Sequence, residues 1–172
     1  MGIRYNPLNT WLPNIFHYKV TQPYVWRHAL KHRIFEASLN KDEEIGHYYE
    51  FGVHEMRTAV LFHRVRRLMS LWHKELRDIH MFCFDSFEGL PKPVNGDLGE
   101  DSIWIEGAFA SSLESAEVIA KKHKIRNIEF IPGYYCDSLT HELKDRLNRY
   151  PPGFIHIDCD LYSSTSPDHS RR

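Results

Sequence analysis

Residues 48–85 read YYEFGVHEMRTAVLFHRVRRLMSLWHKELRDIHMFCFD, and their apolar spacing changes twice. Tyr48 to Val53 form a short apolar-rich run of strand length. Ala59, Phe62, Val65, Met69 and Trp72 then recur at three- and four-residue steps, with Arg64, Arg66 and Arg67 between them. That spacing predicts an amphipathic helix of about 20 residues, about 30 Å long. A second strand follows at Ile79–Phe84 and ends in Asp85. Strand, helix and strand in succession make a βαβ unit, which predicts a mostly parallel sheet.

The alternation continues toward the C-terminus. A helix over about Ser112–His123 leads to a strand at Ile128–Ile131, and a helix over about Ser138–Arg149 leads through Pro151-Pro152-Gly153 to a strand at Phe154–Asp158. The fold class is therefore α/β, a mostly parallel sheet of about four strands with helices on both faces. Ser86–Gly107 carries five acids and two prolines and is long for a plain connection, which suits a functional loop. Upstream, residues 1–45 are rich in Pro and aromatics without a sustained period. They read as an irregular extension holding a helix from about Val25 to Ser38, so the division is 1–45 and 46–172.

The chain has 172 residues, with 22 Lys and Arg against 23 Asp and Glu, which is one domain long and enough to bury a core without staples. Cys83, Cys136 and Cys159 are odd in number and form no CxxC. They exclude a disulfide framework and a zinc knuckle and suit a reducing compartment, the cytoplasm. No apolar run approaches the roughly 20 residues that cross a bilayer, and the N-terminus lacks the apolar stretch of a signal peptide. The near-zero net charge leaves no footprint for nucleic acid. The 12 histidines scatter without metal-ligand spacing. Residues 85–118 hold eight acids and one Lys, so negative charge concentrates in mid-chain.

In an open parallel sheet, ligands bind outside the carboxyl ends of the strands, where the strand order reverses. The residues standing there are Glu50 with Gly52, then Asp85, then Gly133, then Asp158 and Asp160. Gly52 allows close backbone approach, and the helix after it offers unpaired N–H groups to an anion; a Gly in a tight turn reads equally well. Asp85 stands where a carboxylate can accept both hydroxyls of a ribose, or it caps the following turn. Asp158 and Asp160, two residues apart, face opposite sides if the strand stays extended. Such oxygens suit Mg²⁺ or can take a proton, and the alternative is a pair of turn-capping acids. Cys83, Cys159 and His156 read as packed side chains, and Trp104 and Phe109 as a small hydrophobic cluster or a lid.

Three segments at these spacings, YEFGV (49–53), FDSFEGLP (84–91) and IHIDCDLYSST (155–165), together resemble the macrocin O-methyltransferase (TylF-like) family of class I, S-adenosylmethionine-dependent methyltransferases. Gly107-Ala108-Phe109 and Ile131–Leu139 also look like the family's connecting patterns. The resemblance covers roughly residues 47–165. It implies a Rossmann-like sheet and methyl transfer to a hydroxyl of a small-molecule acceptor. It implies that Glu50, Gly52 and Val53 belong to the first cofactor motif and that Asp85, flanked by Ser86 and Phe87, binds the ribose. It also implies that Asp158 and Asp160 lie near the acceptor hydroxyl as catalytic carboxylates, with Asp158 holding a divalent metal such as Mg²⁺.

Two departures bear on that carry-over. Where the family has EFGVxxG, this chain has Met56, which either blocks the cofactor or adopts a loop conformation that Gly would take at lower cost; Glu55 adds negative charge near the cofactor carboxylate. Family members also continue past strand four with a helix, three more strands and a further acidic pair, whereas here only Ser166–Arg172 follow IDCDLYSST. The chain is accordingly expected to be truncated, with four of the usual seven strands and reduced activity. Strand four becomes an open edge and a predicted association site, including homo-oligomers. Two other readings are a non-catalytic, self-associating remnant and a nucleotide-sugar glycosyltransferase using Asp158-Cys159-Asp160 as a DxD site.

Overall fold

The apolar runs pair as parallel strands. In the computed structural model, which describes residues 13–40 (side chains from Pro23 onward), 44–90 and 106–158, β1 (His47–Phe51), β2 (Met81–Asp85), β3 (Ile128–Pro132) and β4 (Pro152–Ile157) form one sheet. Its order is β3-β2-β1-β4, with every pair parallel. The chain thus steps outward from β1 through β2 to β3 and then returns to place β4 on the other side of β1. That reversal puts the switch point between β1 and β4.

Helices cover both faces, because successive strand side chains point to opposite sides. On one face, α1 (Pro13–Leu39), α2 (Arg57–Met69) and α3 (Leu113–Lys122) close a core that includes Trp26, Leu30, Tyr48, Phe62, Ala116, Ala120 and Phe154. On the other, the single turn α4 (Tyr135–Ser138) and helix α5 (His141–Leu147) bring Tyr135, Leu143 and Leu147 against Tyr49, Phe82, Phe84 and Ile131.

Several boundaries differ from the sequence expectation. Helix α1 starts at Pro13, well before Val25, and contains Pro23. Its Trp26 is buried with its ring edge-on to Tyr48 and Phe62, at centroid distances of 5.5 and 5.2 Å. Arg33 fastens α1 to the chain entering β1, donating through Nε to the Ile45 carbonyl at 3.2 Å and through Nη2 to the Glu44 carbonyl at 2.7 Å.

Helix α2 is shorter than its periodicity suggests. It ends at Met69, and Trp72, expected on the buried stripe, is 73% exposed. The cause is Arg66. Its buried guanidinium donates to the Ile79 carbonyl at 2.7 Å and meets Nδ1 of the buried His63 at 3.1 Å. The chain therefore folds back over Arg66 through a 3-10 turn at Lys74–Asp78 and enters β2. The helix expected over Ser138–Arg149 is divided at Thr140, whose extended backbone caps α5 and whose Oγ1 accepts from the Leu143 N–H at 3.2 Å.

Met56 resolves the question raised by the missing glycine. Its backbone is left-handed (φ 58°) at the start of α2, and its side chain is fully buried in the core. The left-handed conformation costs an L residue about 1–2 kcal/mol, whereas emptying a buried Met site costs about 2–5 kcal/mol. Met56→Gly is therefore expected to destabilise the chain by roughly 1–3 kcal/mol in urea unfolding. A gain in stability would show that the strain dominates.

Candidate functional site

The switch point gathers carboxylates by simple topology. β1 ends at Glu50 and Phe51, its neighbour β2 ends at Asp85, and its other neighbour β4 runs into Asp158. The sheet ladder is carried past the formal strand ends. The Gly52 N–H donates to the Phe84 carbonyl at 2.9 Å and the Asp158 N–H to the Phe51 carbonyl at 2.8 Å. Gly52 then turns the chain with φ 86°, a conformation glycine takes at no steric cost.

Asp85 is the hub of the turn. Its Oδ2 accepts from the N–H groups of Val53 (2.6 Å) and His54 (3.0 Å), and its Oδ1 accepts from the N–H of Phe87 (2.9 Å). One carboxylate thereby joins the loop after β1 to the loop after β2. Val53 is buried and reaches the site through its amide. Ser86 and Phe87 also shape the loop: Ser86 Oγ donates to the Gly89 carbonyl at 2.9 Å, and Phe87, left-handed at φ 59°, packs edge-on to Phe130. The loop that follows is pinched at its base, where the Leu90 N–H donates to the Ala108 carbonyl and the Gly107 N–H to the Leu90 carbonyl, both at 2.9 Å. Gly89 (φ 90°) fits there because a Cβ would come within 2.7 Å of the Ala108 and Gly107 carbonyl oxygens. Residues 91–105, including Trp104, lie outside the described residues; Phe109 is described, and its ring meets His54 at 5.8 Å.

Glu50 occupies a different position from the one its strand-end location suggests. It is 1% exposed, on the α1–α2 face beside Tyr48, whose hydroxyl donates to Glu50 Oε2 at 2.7 Å. Burial first, and then the charges of Asp158 and Asp85, push its carboxyl up to about 8 against the pull of the Tyr48 bond. Burial also holds the Tyr48 hydroxyl and the Cys83 thiol well above their ordinary ranges, so Cys83 is the inert packed thiol its strand context suggested.

Asp158, by contrast, is open, its side chain 60% exposed, with Oδ2 3.9 Å from His156 Nε2. His156 is half-buried beneath Trp26, at a ring distance of 6.0 Å; burial lowers its pKa and Asp158 raises it. Tyr48 is the site-supporting residue that the sequence reading passed over. Its two-residue offset from Glu50, on one face of a strand, was the signal available. Cys159 and Asp160 fall outside the described residues, and among the described residues no group of three or more His, Cys, Asp or Glu side chains is arranged to hold a metal ion. Among the described residues, Asp158 is therefore not part of a ligand set for the expected Mg²⁺.

The site so built has two carboxylates, Asp85 and Asp158, at the ends of the strands flanking β1, the buried Glu50 behind them, and a glycine turn beside the Asp85 carboxylate that ties down two loops. A family model described as macrocin-O-methyltransferase (TylF) matches residues 30–169. The chain belongs to this TylF family. Among solved structures, the chain is similar to the O-methyltransferase NovP, with a TM-score of 0.54 and 21% identity over 84% of this chain and 55% of that one. It is also similar to CalS11, a calicheamicin methyltransferase, with a TM-score of 0.64 and 18% identity over 92% of this chain and 63% of that one. At such identities the likeness shows the shared Rossmann-like α/β fold. The chain spans between 55% and 63% of the length of these two structures. No curated protein matches it. The TylF assignment extends to residue 30, inside α1, and it leaves the glycosyltransferase reading without support.

Proposed function

We propose that the chain is an S-adenosylmethionine-dependent O-methyltransferase acting on a hydroxyl of a small molecule. The observation that carries this reading is the placement of Asp85 and Asp158 at the ends of the two strands that flank β1, one tied to the glycine turn and one open to solvent, in a chain of the TylF family. The residues fit the cofactor in chemical terms. Asp85 retains capacity to accept from a hydroxyl, the turn at Gly52 admits a ligand to the backbone, and the carboxylates of Asp85 and Asp158, which add to burial in raising Glu50, suit a cationic ligand.

When bound, the cofactor supplies an electrophilic methyl group. Asp158 then does the work left to the protein, accepting the proton that the acceptor hydroxyl loses as its oxygen forms the new bond. Positioning of the two reactants contributes the rest. Glu50, neutral at neutral pH, supports the site from behind without adding a third negative charge. Asp158 could supply one oxygen to a divalent cation, and the reading does not depend on one. The reducing environment suited to free cysteines favours the cytoplasm, and no described helix is long and apolar enough to cross a membrane.

The test is calorimetric. S-adenosylhomocysteine at about 100 times its dissociation constant should stabilise the fold by about 2.7 kcal/mol, and Asp158→Asn should keep that binding while losing methyl transfer. Absence of any stabilisation by the ligand would overturn the proposal.

A second reading, self-association with or without catalysis, is favoured by the outer edge of β4. Phe51 pairs with Ile157 in register, and its carbonyl accepts from the Asp158 N–H, so the alternate backbone groups of Ile155 and Ile157 point away from β1. Both side chains are also exposed, at 57% and 64%. Among the described residues this edge has no strand beside it, and an apolar edge of that kind is a template for another strand. Ile155→Lys combined with Ile157→Lys should then turn a concentration-dependent assembly into a monomer in sedimentation velocity. A wild-type chain that stays monomeric at every concentration would remove this reading.

A further inference from the structure

We infer that the end of the molecule opposite the crevice, where α2 and α3 finish, is a docking face for an anionic lipid surface, which it meets without crossing it. The chain leaves α2 through Leu68, Leu71 and Trp72, three large apolar side chains that are all exposed. They stand on a firm support. The N–H groups of Trp72 and His73 both donate to the Met69 carbonyl at 3.0 Å. Arg77 Nη2 donates to the Ser70 carbonyl at 3.2 Å, and Asn127 Nδ2 to the Arg77 carbonyl at 3.2 Å. The turn that carries Trp72 is thereby tied to the connection between α3 and β3.

That connection brings charge of one sign. Residues 64–78 and 121–126 present eight exposed Lys and Arg against two exposed acids, Glu75 and Asp78, and Glu75 faces His73 at 3.4 Å. Glu114 and Glu117 lie earlier in α3. The two helix ends are neighbours, because Arg64 of α2 and Lys122 of α3 both add to burial in lowering the pKa of His123. Basic side chains in the last turns of α2 and α3 also complement the helix dipoles. That role accounts for cations and leaves Leu68, Leu71 and Trp72 unexplained.

An exposed apolar cluster rimmed by charge marks an interaction surface. A lipid interface accounts for both parts of this one, since Trp and Leu enter the boundary between headgroups and acyl chains while Lys and Arg meet anionic headgroups. A peptide held by apolar contacts needs a groove to receive it, whereas these three side chains stand out in solvent. A nucleic acid would gain from stacking on Trp72 and little from the two leucines. β2 and β3 begin at this end, so a docked chain leaves the crevice at the carboxyl ends of the strands open.

The test is cosedimentation of the full chain with vesicles of phosphatidylcholine, alone or with about one third phosphatidylserine. Binding to the anionic vesicles should be about tenfold or more tighter than to the neutral ones and should weaken with salt. Leu71→Ser combined with Trp72→Ser, and separately Lys121→Glu combined with Lys122→Glu, should each weaken it about tenfold or more. Both variants should keep the wild-type urea midpoint, because the changed side chains are exposed. Trp72→Phe should still bind while losing the quenching of Trp emission by brominated acyl chains. Equal binding to both vesicles, no binding, or unchanged binding by the Leu71 and Trp72 variant would overturn the inference. Tighter binding to single-stranded RNA or polyglutamate than to the anionic vesicles would also overturn it and mark a face for polyanions.

Discussion

At pH 8 and above, Glu50→Gln is expected to be more stable than the wild-type chain, and at pH 5 the two should unfold nearly alike. Glu50 is buried against Tyr48 with its carboxyl raised from 4.5 to about 8, chiefly by burial. Between those values the folded chain binds a proton that the unfolded chain has released, so stability falls as pH rises through this window. At about 1.4 kcal/mol for each tenfold change in proton affinity, the full penalty is on the order of 5 kcal/mol. Gln keeps an oxygen for the Tyr48 hydroxyl and carries no titrating proton.

His63 acts in the opposite sense. Burial first and then Arg66 lower its pKa from 6.5 to about 4, so the unfolded chain binds the extra proton and stability falls as pH drops from 6.5 toward 4. The two effects offset each other between about pH 4.5 and 6.5. The wild-type profile should be nearly level there with respect to these groups and then decline on the alkaline side, whereas Glu50→Gln should keep only the acid decline. Urea unfolding midpoints across pH 4–9 measure both curves, and parallel curves for the two proteins would contradict the assigned burial of Glu50.

Trp26→Ala is expected to cost about 3–5 kcal/mol, the range for emptying a buried aromatic site. Trp26 contacts Tyr48, Phe62 and His156, which belong to β1, α2 and β4, so its loss should loosen the face that supports the crevice. We propose on this ground that α1 folds with the sheet as one unit. Removal of residues 1–45 should then abolish cooperative unfolding. A deletion variant that melts as sharply as the full chain would restore the reading of these residues as a separate extension. Trp26→Phe separates packing from folding failure, because it retains most of the ring contact and should cost less than the alanine change.

The sheet was legible because apolar runs of four to six residues recur between helical periods, and a run such as MFCFD admits few other placements. Asp85 and Asp158 could be singled out because strand ends are fixed by where such runs stop. What escaped the sequence came from contacts over long separations. The end of α2 is set by Arg66 reaching the Ile79 carbonyl, which no periodicity records. The value of Met56 depended on whether its side chain turned toward the ligand or into the core, and only packing decides that. Glu50 looked like its neighbours at the strand ends, yet a partner two residues away on the same face, Tyr48, holds it inside. Trp26 sits in a segment without amphipathic period, so its burial was invisible until β4 was in place.

The strand order also dictates when the crevice comes into being. β1 and β2 pair across one short helix, but β4 must return across most of the domain; the hydrogen bond from the Tyr49 hydroxyl to the Tyr150 carbonyl closes a separation of 101 residues. Contacts that distant carry a large loop-closure cost and form late. As the polypeptide leaves the ribosome, the flank of β1 that β4 will occupy therefore stays unpaired until β4 emerges, and Asp158 arrives with that strand. The carboxylate pair is assembled when β4 docks on β1, so a ligand that needs both residues would recognise molecules in which β4 has paired and pass over those in which it has not.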